Sequence, residues 1–407
     1  MTEPRFCVTM KDIQKYRVLK DIVDKKVKGV QAALILGITP VHVCRLKRRF
    51  IEHGLTGLLR PRHPAPNKIS AAKASIIADI YKEHYWDFNI MHFKDKLKEI
   101  HKITLSYESV RKILISHGIH AAKKKKIVHR RRRRMPKAGM LVQMDSSIHR
   151  WLEHIPQTWA LVAMIDDASS EVPYAQFFPS DTTLANMHVI RRFIEIKGVF
   201  MALYVDKAVH FTTTRYQGIH YNVNPEQDDT QIERALSELN INLIPANSPQ
   251  AKGRIERLFR LFQDRLVKEM RLANVSTYPQ ANKFIIDKFL PWYNTQFTIP
   301  NLESVYTPVP FDKNLDLVFS IKKERIVNHD NTIKFCGQII QIPPSDTRLS
   351  FAKAIVDVCL LNDNSIIVQY KNQTVATSKL HGNNLTVKKD RFIKNLLNSR
   401  NYEPALT

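Results

Sequence analysis

The sequence has little that would direct it to a membrane or to an oxidising compartment. Its apolar runs fall short of the ~18–20 residues that a transmembrane helix needs, and its first residues lack the apolar core of a signal peptide. The four cysteines, Cys7, Cys44, Cys336 and Cys359, are scattered without a CxxC pair, which argues against a disulfide framework or a zinc site. We therefore expect a cytoplasmic protein, and its 407 residues predict two to four domains.

Acidic residues are scarce in the first third of the chain. Residues 1–140 hold 33 Lys and Arg against 11 Asp and Glu, so they carry +22 of the formal net charge of +25. This asymmetry predicts that the N-terminal region binds a polyanion, and nucleic acid is the leading candidate. An anionic membrane is a weaker candidate, because the basic positions do not lie opposite a lipid-facing apolar face.

The stretch VQAALILGITPVHVCRLKRRFIEHG, residues 30–54, has the pattern of a helix-turn-helix within a DNA-binding domain over 1–60. Its first helix is expected to end at Gly37. Thr39 is the expected N-cap of the second helix, and Pro40 is its first residue. The residues expected to face inward are Val30, Ala33, Leu34, Leu36, Val43, Leu46 and Phe50. Those expected to meet the DNA major groove are His42, Arg45, Lys47, Arg48 and Arg49. The alternative is a plain helical hairpin with a solvated basic face.

A second helical block follows a proline-rich break at 60–67. Its closing segment, LSYESVRKILISHGI, is amphipathic and predicts a second helical DNA-binding domain over 68–120. A basic linker over 121–138 then carries two charged runs, which are Lys123, Lys124, Lys125 and Lys126, and Arg130, Arg131, Arg132, Arg133 and Arg134. No packed core absorbs nine such charges, so we expect them to bind DNA phosphates.

From residue 139 to residue 300 the pattern becomes that of an α/β core. Short apolar segments of strand length alternate with amphipathic segments in the order β-β-β-α-β-α-β-α, which predicts a mixed sheet with helices against it. The last of these helices is expected to be capped by Ser248 and opened by Pro249. After residue 300, two hairpin-like stretches predict a small β-barrel over 310–385, followed by a basic tail over 386–407.

Three carboxylates fall where this sheet would gather them. Asp145 ends the first strand, Asp206 ends the fourth, and Glu256 lies in the helix after the fifth. Sites in open α/β sheets collect at such strand ends, and carboxylates are the ligands that two Mg²⁺ or Mn²⁺ ions need. Asp166, at the end of the second strand, is a reserve ligand. Lys252, Arg254 and Arg257 would hold phosphates, although Glu256 also lies in line with Lys252 and Arg260 for a simple helical salt bridge.

The segments QMDSSIHRW, YVD and SPQAKGRIERLF resemble the three signature blocks of DDE transposases, those of bacterial insertion sequences of the ISNCY type above all. The resemblance implies a multidomain chain with all-α helix-turn-helix modules, an RNase H-like integrase core and a small all-β barrel. It implies a catalytic, metal-holding triad of Asp145, Asp206 and Glu256 with two Mg²⁺ ions. It also implies that the protein acts as a homo-oligomer on double-stranded DNA, namely the terminal repeats of the element and the target DNA. The expected location is the cytoplasm, in association with the nucleoid.

One interval departs from the compact integrase pattern. Glu256 follows Asp206 by 50 residues, and the excess falls in a polar insertion, 212–231. An alternative is that the chain is a non-catalytic, sequence-specific DNA-binding regulator that retains an RNase H-like scaffold. A nuclease that cuts without joining would use the same carboxylates.

Overall fold

The computed structural model describes residues 8–59, 69–121, 133–206, 230–246, 253–345 and 348–380. The chain forms two compact units, one of Met1–His84 with Ser116–Ile119 and one of Tyr85–Ile115 with His120–Thr407. This division cuts through the predicted second helical domain, 68–120. No single described helix is long and apolar enough to cross a membrane; the stretches Gly29–Leu36 and Pro40–Leu58 meet that test only jointly, by length and composition, and are bent by 101°.

The first unit is all-helical. Its elements are α1 (Met10–Val23), α2 (Gly29–Leu36), α3 (Pro40–His53), a 3₁₀ helix (Gly54–Leu58) and α4 (Ala71–His84). The predicted turn between α2 and α3 is confirmed: Gly37 ends α2 with a left-handed φ of 63°, a conformation that glycine adopts without steric cost. Thr39 caps α3 by accepting a hydrogen bond from the His42 N–H at 3.4 Å.

The predicted inward face of α2 is wrong at two positions. Val30 is 65% exposed and Leu34 is 80% exposed, whereas Ala32 and Ala33 are buried. The apolar composition of this eight-residue helix gives no clear phase, and small alanine side chains allow neighbouring backbones to approach closely. On α3 the expectation holds, since Val43 and Leu46 are buried.

The second unit contains the predicted α/β core, and its element order is confirmed. Its five strands are β1 (Val142–His149), β2 (Trp159–Asp166), β3 (Ala175–Phe178), β4 (Ala202–Val205) and β5 (Asn242–Pro245), in the sheet order β3-β2-β1-β4-β5. β1 is antiparallel to β2 and parallel to β4, and β4 is parallel to β5. The central strand, β1, therefore has one antiparallel and one parallel neighbour.

Helices cover both faces of this sheet. One face packs against α7 (Thr183–Lys197) and α8 (Gln231–Glu238). The other packs against α9 (Gly253–Leu272), α10 (Tyr278–Phe284), a π-helical turn (Ile285–Phe289) and α11 (Leu290–Phe297). The predicted cap and first residue of α9, Ser248 and Pro249, lie outside the described residues.

Among the described residues, the C-terminal region forms a four-stranded sheet and a separate hairpin, so the small β-barrel predicted over 310–385 is not confirmed. After a short helix, α12 (Leu315–Val318), strands β6 (Ile321–Ile326), β9 (Ile355–Leu360), β10 (Ser365–Tyr370) and β11 (Gln373–Lys379) form a sheet in the order β11-β10-β9-β6. Strands β7 (Thr332–Phe335) and β8 (Gln338–Gln341) pair only with each other among the described residues. The sheet buries its apolar face in the same cluster as α7 and α8.

The helices α5 (Ile90–Glu99) and α6 (Tyr107–Ser116) follow α4 in sequence, and α5 is bound to α9 by charged groups. Glu269 accepts from His92 Nε2 at 2.7 Å and from Lys96 Nζ at 2.8 Å. Arg271 pairs with Asp87 at 2.7 Å. This part of the predicted second DNA-binding domain is therefore integrated with the α/β core.

Candidate active site

Asp145 and Asp206 lie at the same level of two neighbouring parallel strands. Gln143 of β1 is paired with Tyr204 of β4, and extending that register by two residues sets Asp145 beside Asp206. Neighbouring strands are about 4.8 Å apart, so Asp145 lies next to Asp206. Asp206 directly follows β4, but Asp145 lies inside β1, which continues to His149, so the prediction that Asp145 ends the first strand is wrong. Both are half-buried, as residues at the edge of a core are.

Helix α9 runs along the face of β1 that carries Asp145. The Ile255 N–H donates to Gln143 Oε1 at 3.3 Å, and Gln263 Nε2 donates to Ser147 Oγ at 2.9 Å. Because side chains alternate between the two faces of a strand, Asp145 faces the same helix as Gln143 and Ser147. The first turn of α9 therefore lies next to Gln143, one pleat from Asp145.

Glu256 is an exposed residue in that first turn. Arg254 and Glu256 are two positions apart, or about 200° around the helix, so they project from opposite flanks. Arg254 reaches Asp167, the residue that follows β2. The other flank, with Glu256, is consequently the one nearer β4 and Asp206.

The three carboxylates are not gathered into a closed set. Within the described parts of the chain, no group of three or more His, Cys, Asp or Glu side chains is arranged to hold a metal ion. Strand register brings Asp145 and Asp206 together, and Glu256 lies on the helix that faces them. Their oxygen donors fit Mg²⁺ or Mn²⁺ chemically, because these hard cations prefer carboxylate ligands.

Asp166 is not placed to serve as the reserve ligand. β2 is antiparallel to β1, so Asp166 pairs with Val142 at the start of β1, three residues from Asp145. Its carboxylate is 1% exposed and accepts hydrogen bonds from Gly139 N at 2.7 Å and from Tyr306 Oη at 2.8 Å. Burial and the negative charge of Asp166 both raise the pKa of Tyr306 above its ordinary value, which keeps that hydroxyl a donor.

Arg254 departs from its predicted role as a phosphate contact. Its guanidinium lies 2.6 Å from Asp167 Oδ1, and the two side chains are 11% and 0% exposed. Asp167 also accepts from Gln143 Nε2 at 2.7 Å and from Met135 N at 2.9 Å. The sequence motifs predicted no role for Gln143 and offered Asp167 only as an acid that, like Asp166, could point to the rim. The available signal for the ion pair was a second acid, Asp167, directly after a strand that is apolar up to its last residue, Asp166.

The other predicted DNA contacts divide into three groups. Arg45, Arg48, Arg49, Arg133 and Arg257 are exposed, and Lys47 is half-buried. Arg134 is exposed but donates to Ala168 O at 2.9 Å and to Ser170 Oγ at 2.6 Å, so it holds the entering chain to the core. The remaining ones lie outside the described residues, namely Lys123, Lys124, Lys125, Lys126, Arg130, Arg131, Arg132 and Lys252, as does most of the insertion 212–231.

A second polar group lies on the opposite face of β1. The Ser146 N–H donates to Asp145 Oδ1 at 3.0 Å, and Ser146 Oγ donates to Asp181 Oδ2 at 2.6 Å. Asn186 Nδ2 donates to the other oxygen of Asp181 at 2.6 Å. His149, at the end of β1, lies on the same face as Asp145, and burial lowers the pKa of its imidazole. These contacts fix the conformation of β1 around Asp145.

Two proteins are similar to the chain along most of its length. A putative transposase of Sinorhizobium fredii, y4bF, is 29% identical over 374 residues, which cover 90% of this chain and 80% of the relative. The transposase of the insertion sequence IS1202 from Streptococcus pneumoniae is 28% identical over 366 residues, which cover 80% of this chain and 77% of the relative. The chain is thus similar to two named transposases over 80–90% of its length.

Solved structures give weaker likenesses. The catalytic core domain of the HTLV-2 integrase in complex with magnesium is 12% identical, with a TM-score of 0.28 over 36% of this chain and 82% of that one. The intasome of simian T-cell lymphotropic virus in complex with a PP2A regulatory subunit is also 12% identical, with a TM-score of 0.33 over 75% of this chain and 100% of that one. No protein-family model matches the chain.

Proposed function

We propose that the chain is a DNA transposase with an RNase H-like DDE core, which cuts at the ends of an insertion element and joins the 3′-hydroxyls to target DNA. The observation that carries the proposal is the placement of Asp145 level with Asp206 under the helix that bears Glu256. The similarity to two transposases along 80–90% of the chain supports it.

Asp145, Asp206 and Glu256 are the residues that would hold two divalent cations, Mg²⁺ or Mn²⁺. When bound, such a pair activates the attacking water or hydroxyl and stabilises the leaving oxygen. The chain supplies the rest of the site. Glu256 and Arg257 are both exposed, so a DNA backbone has access to this edge of the sheet, and the guanidinium of Arg257 would hold a phosphate there.

We assign recognition of the element ends to the helix-turn-helix of residues 1–60. The 101° bend between α2 and the stretch Pro40–Leu58, which contains α3 and the 3₁₀ helix, lies within the ~90–120° of helix-turn-helix motifs. Arg45, Arg48 and Arg49 are exposed on α3, and no described acidic group pairs with them. Because such a reaction joins two DNA ends to one target, we propose that the protein acts as a homo-oligomer, in the cytoplasm at the nucleoid.

The test is incubation of the purified full chain with Mn²⁺ and end-labelled duplexes that carry the DNA flanking its gene. We expect a nick at one defined position and a slower product in which the cut strand is joined to a second duplex. A scrambled duplex of equal length is the control for sequence dependence. A non-catalytic regulator would bind the same duplexes and give neither product; a simple nuclease would give only the nick.

A further inference from the structure

We propose that Gln143, Asp167 and Arg254 form a positioning unit that sets the first turn of α9, and with it Glu256, against Asp145. The inference rests on the proposed function, because it gives these residues a role in metal-dependent DNA chemistry. None of the three is a catalytic residue; each would act through Glu256.

The unit is a continuous set of buried contacts. Asp167, which is 0% exposed, binds the Arg254 guanidinium at 2.6 Å through Oδ1 and accepts from Gln143 Nε2 at 2.7 Å through the same oxygen. Gln143 is also 0% exposed, and its Oε1 accepts the Ile255 N–H at 3.3 Å. The contacts therefore form a closed path from β1, through the residue after β2, to α9 and back to β1.

Both ends of this path lie next to the candidate ligands. Gln143 is two residues before Asp145 on the same face of β1, and Ile255 directly precedes Glu256. The first amides of a helix have no acceptor within the helix itself, and Gln143 supplies one for Ile255. A displacement of that turn would therefore move Glu256 relative to Asp145.

Apolar packing alone would not fix this turn. The stripe of α9 that begins at Ile255 sets how far the helix lies from the sheet, but apolar contact is non-directional. A charge-assisted bond has a preferred geometry, and it acts here on Arg254, which lies on the flank opposite Glu256. Rotation of the first turn that breaks the Arg254–Asp167 pair would also swing Glu256 out of its place.

Stability alone does not explain the buried ion pair between Arg254 and Asp167. A buried pair is often no better for stability than apolar residues of the same volume. The presence of the Arg254–Asp167 pair at the turn that carries Glu256 is explained if the role of the pair is to orient that turn. Groups that orient metal ligands from behind typically change metal affinity or activity by about 10–100-fold when they are removed.

The experiment compares Arg254→Gln and Gln143→Met with Arg265→Gln in the full chain. Arg265 is the matched control, because it is a buried arginine on the same helix that pairs with Asp95, more than two turns away from Glu256. Three quantities are measured: the Mn²⁺ concentration that half-saturates cleavage, kcat and KM for end DNA, and amide hydrogen exchange along α9. Arg254→Lys tests whether a retained charge rescues the defect.

We expect Arg254→Gln and Gln143→Met to raise the half-saturating Mn²⁺ concentration by about tenfold or more and to lower kcat, with KM for DNA within about twofold. Exchange should accelerate at residues 253–258 and stay unchanged at 265–272. Arg254→Lys should recover part of the loss, because it keeps the charge but not the planar fork. Arg265→Gln should lower the unfolding midpoint and leave the Mn²⁺ dependence as in the wild type.

Active wild-type protein whose Arg254→Gln and Gln143→Met variants keep its Mn²⁺ dependence would overturn the positioning unit and leave the proposed function standing. The positioning unit is overturned in the same way if Arg265→Gln shifts the Mn²⁺ dependence as far as they do. An inactive wild type would instead count against the proposed function. Hydrogen exchange then decides the inference alone: unchanged exchange at 253–258 refutes it, and accelerated exchange confined to that turn supports it.

Discussion

Replacing Asp166 by asparagine exchanges one carboxylate oxygen for an amide nitrogen at a fully buried position. Oδ1 accepts from the backbone N–H groups of Ala168 and Ser169 at 2.9 and 2.7 Å and from Ser169 Oγ at 3.0 Å. Oδ2 accepts from Gly139 N at 2.7 Å and from Tyr306 Oη at 2.8 Å. Whichever oxygen becomes NH₂, it faces at least one backbone N–H that cannot turn away.

The expected loss follows from the number of bonds broken. A hydrogen bond to a charged group contributes about 1.5–3 kcal/mol, and a buried donor left without an acceptor adds its own desolvation cost. Asp166→Asn removes at least two such bonds, so we expect the free energy of unfolding to fall by about 3–5 kcal/mol. None of these bonds involves a metal ion.

Urea titration followed by tryptophan fluorescence measures this loss directly. All four tryptophans, Trp86, Trp151, Trp159 and Trp292, belong to the second compact unit, so the signal reports that unit alone. Asp287→Asn is the control, because Asp287 is exposed, and its effect should stay within about 0.5 kcal/mol. An Asp166→Asn protein that is as stable as the wild type but catalytically inactive would refute the reasoning and restore Asp166 as a ligand.

Three further outcomes are expected. Burial lowers the pKa of His188 to about 4, below its unfolded value near 6.5; the unfolded chain therefore gains a proton first as the pH falls, and between pH 7.5 and 5 the wild type should lose about 2 kcal/mol more than His188→Leu in urea titrations. Gly198 has a φ of +97°, and a Cβ there would lie 2.4 Å from Thr307 O, so Gly198→Ala should unfold at clearly lower urea, whereas Gly253→Ala, with open space around it, should not. In binding titrations of the full chain, Arg45→Ala should reduce the preference for end DNA over random duplex by about 1–3 kcal/mol, whereas Arg131→Ala should weaken both equally; equal effects would contradict the assignment of α3.

The helix boundary in the first unit and the element order of the α/β core were predictable because local signals agree with the tertiary structure there. Thr39, Pro40 and Gly37 predicted a helix boundary by their own backbone preferences, and the structure has it there. The order of strands and helices followed from apolar periodicity. The end of β4 before Asp206 is visible in the sequence as a change from apolar to polar residues. β1, however, continues through the polar residues after Asp145 to His149, so the same signal misplaced the end of that strand.

What escaped prediction depends on strand direction and on distant partners. The end of β2 lies beside Val142, at the start of β1, only because the two strands are antiparallel, and no local pattern around Asp166 distinguishes that from a parallel arrangement. Arg254 looks like a free cation until Asp167, far away in sequence, is brought against it. Nothing in the sequence indicated that the last strands share an apolar cluster with α7 and α8.

The most direct test of the proposed mechanism is Mn²⁺-dependent strand transfer by Glu256→Gln, measured beside the wild type on the same end DNA. The substitution keeps the size of the side chain and removes the charge that would hold the metal. Glu256 is exposed, so DNA affinity and the urea midpoint should be those of the wild type while cleavage and joining are lost. A Glu256→Gln protein that joins DNA at the wild-type rate would contradict the proposed mechanism and leave Glu256 as an ordinary surface residue of α9.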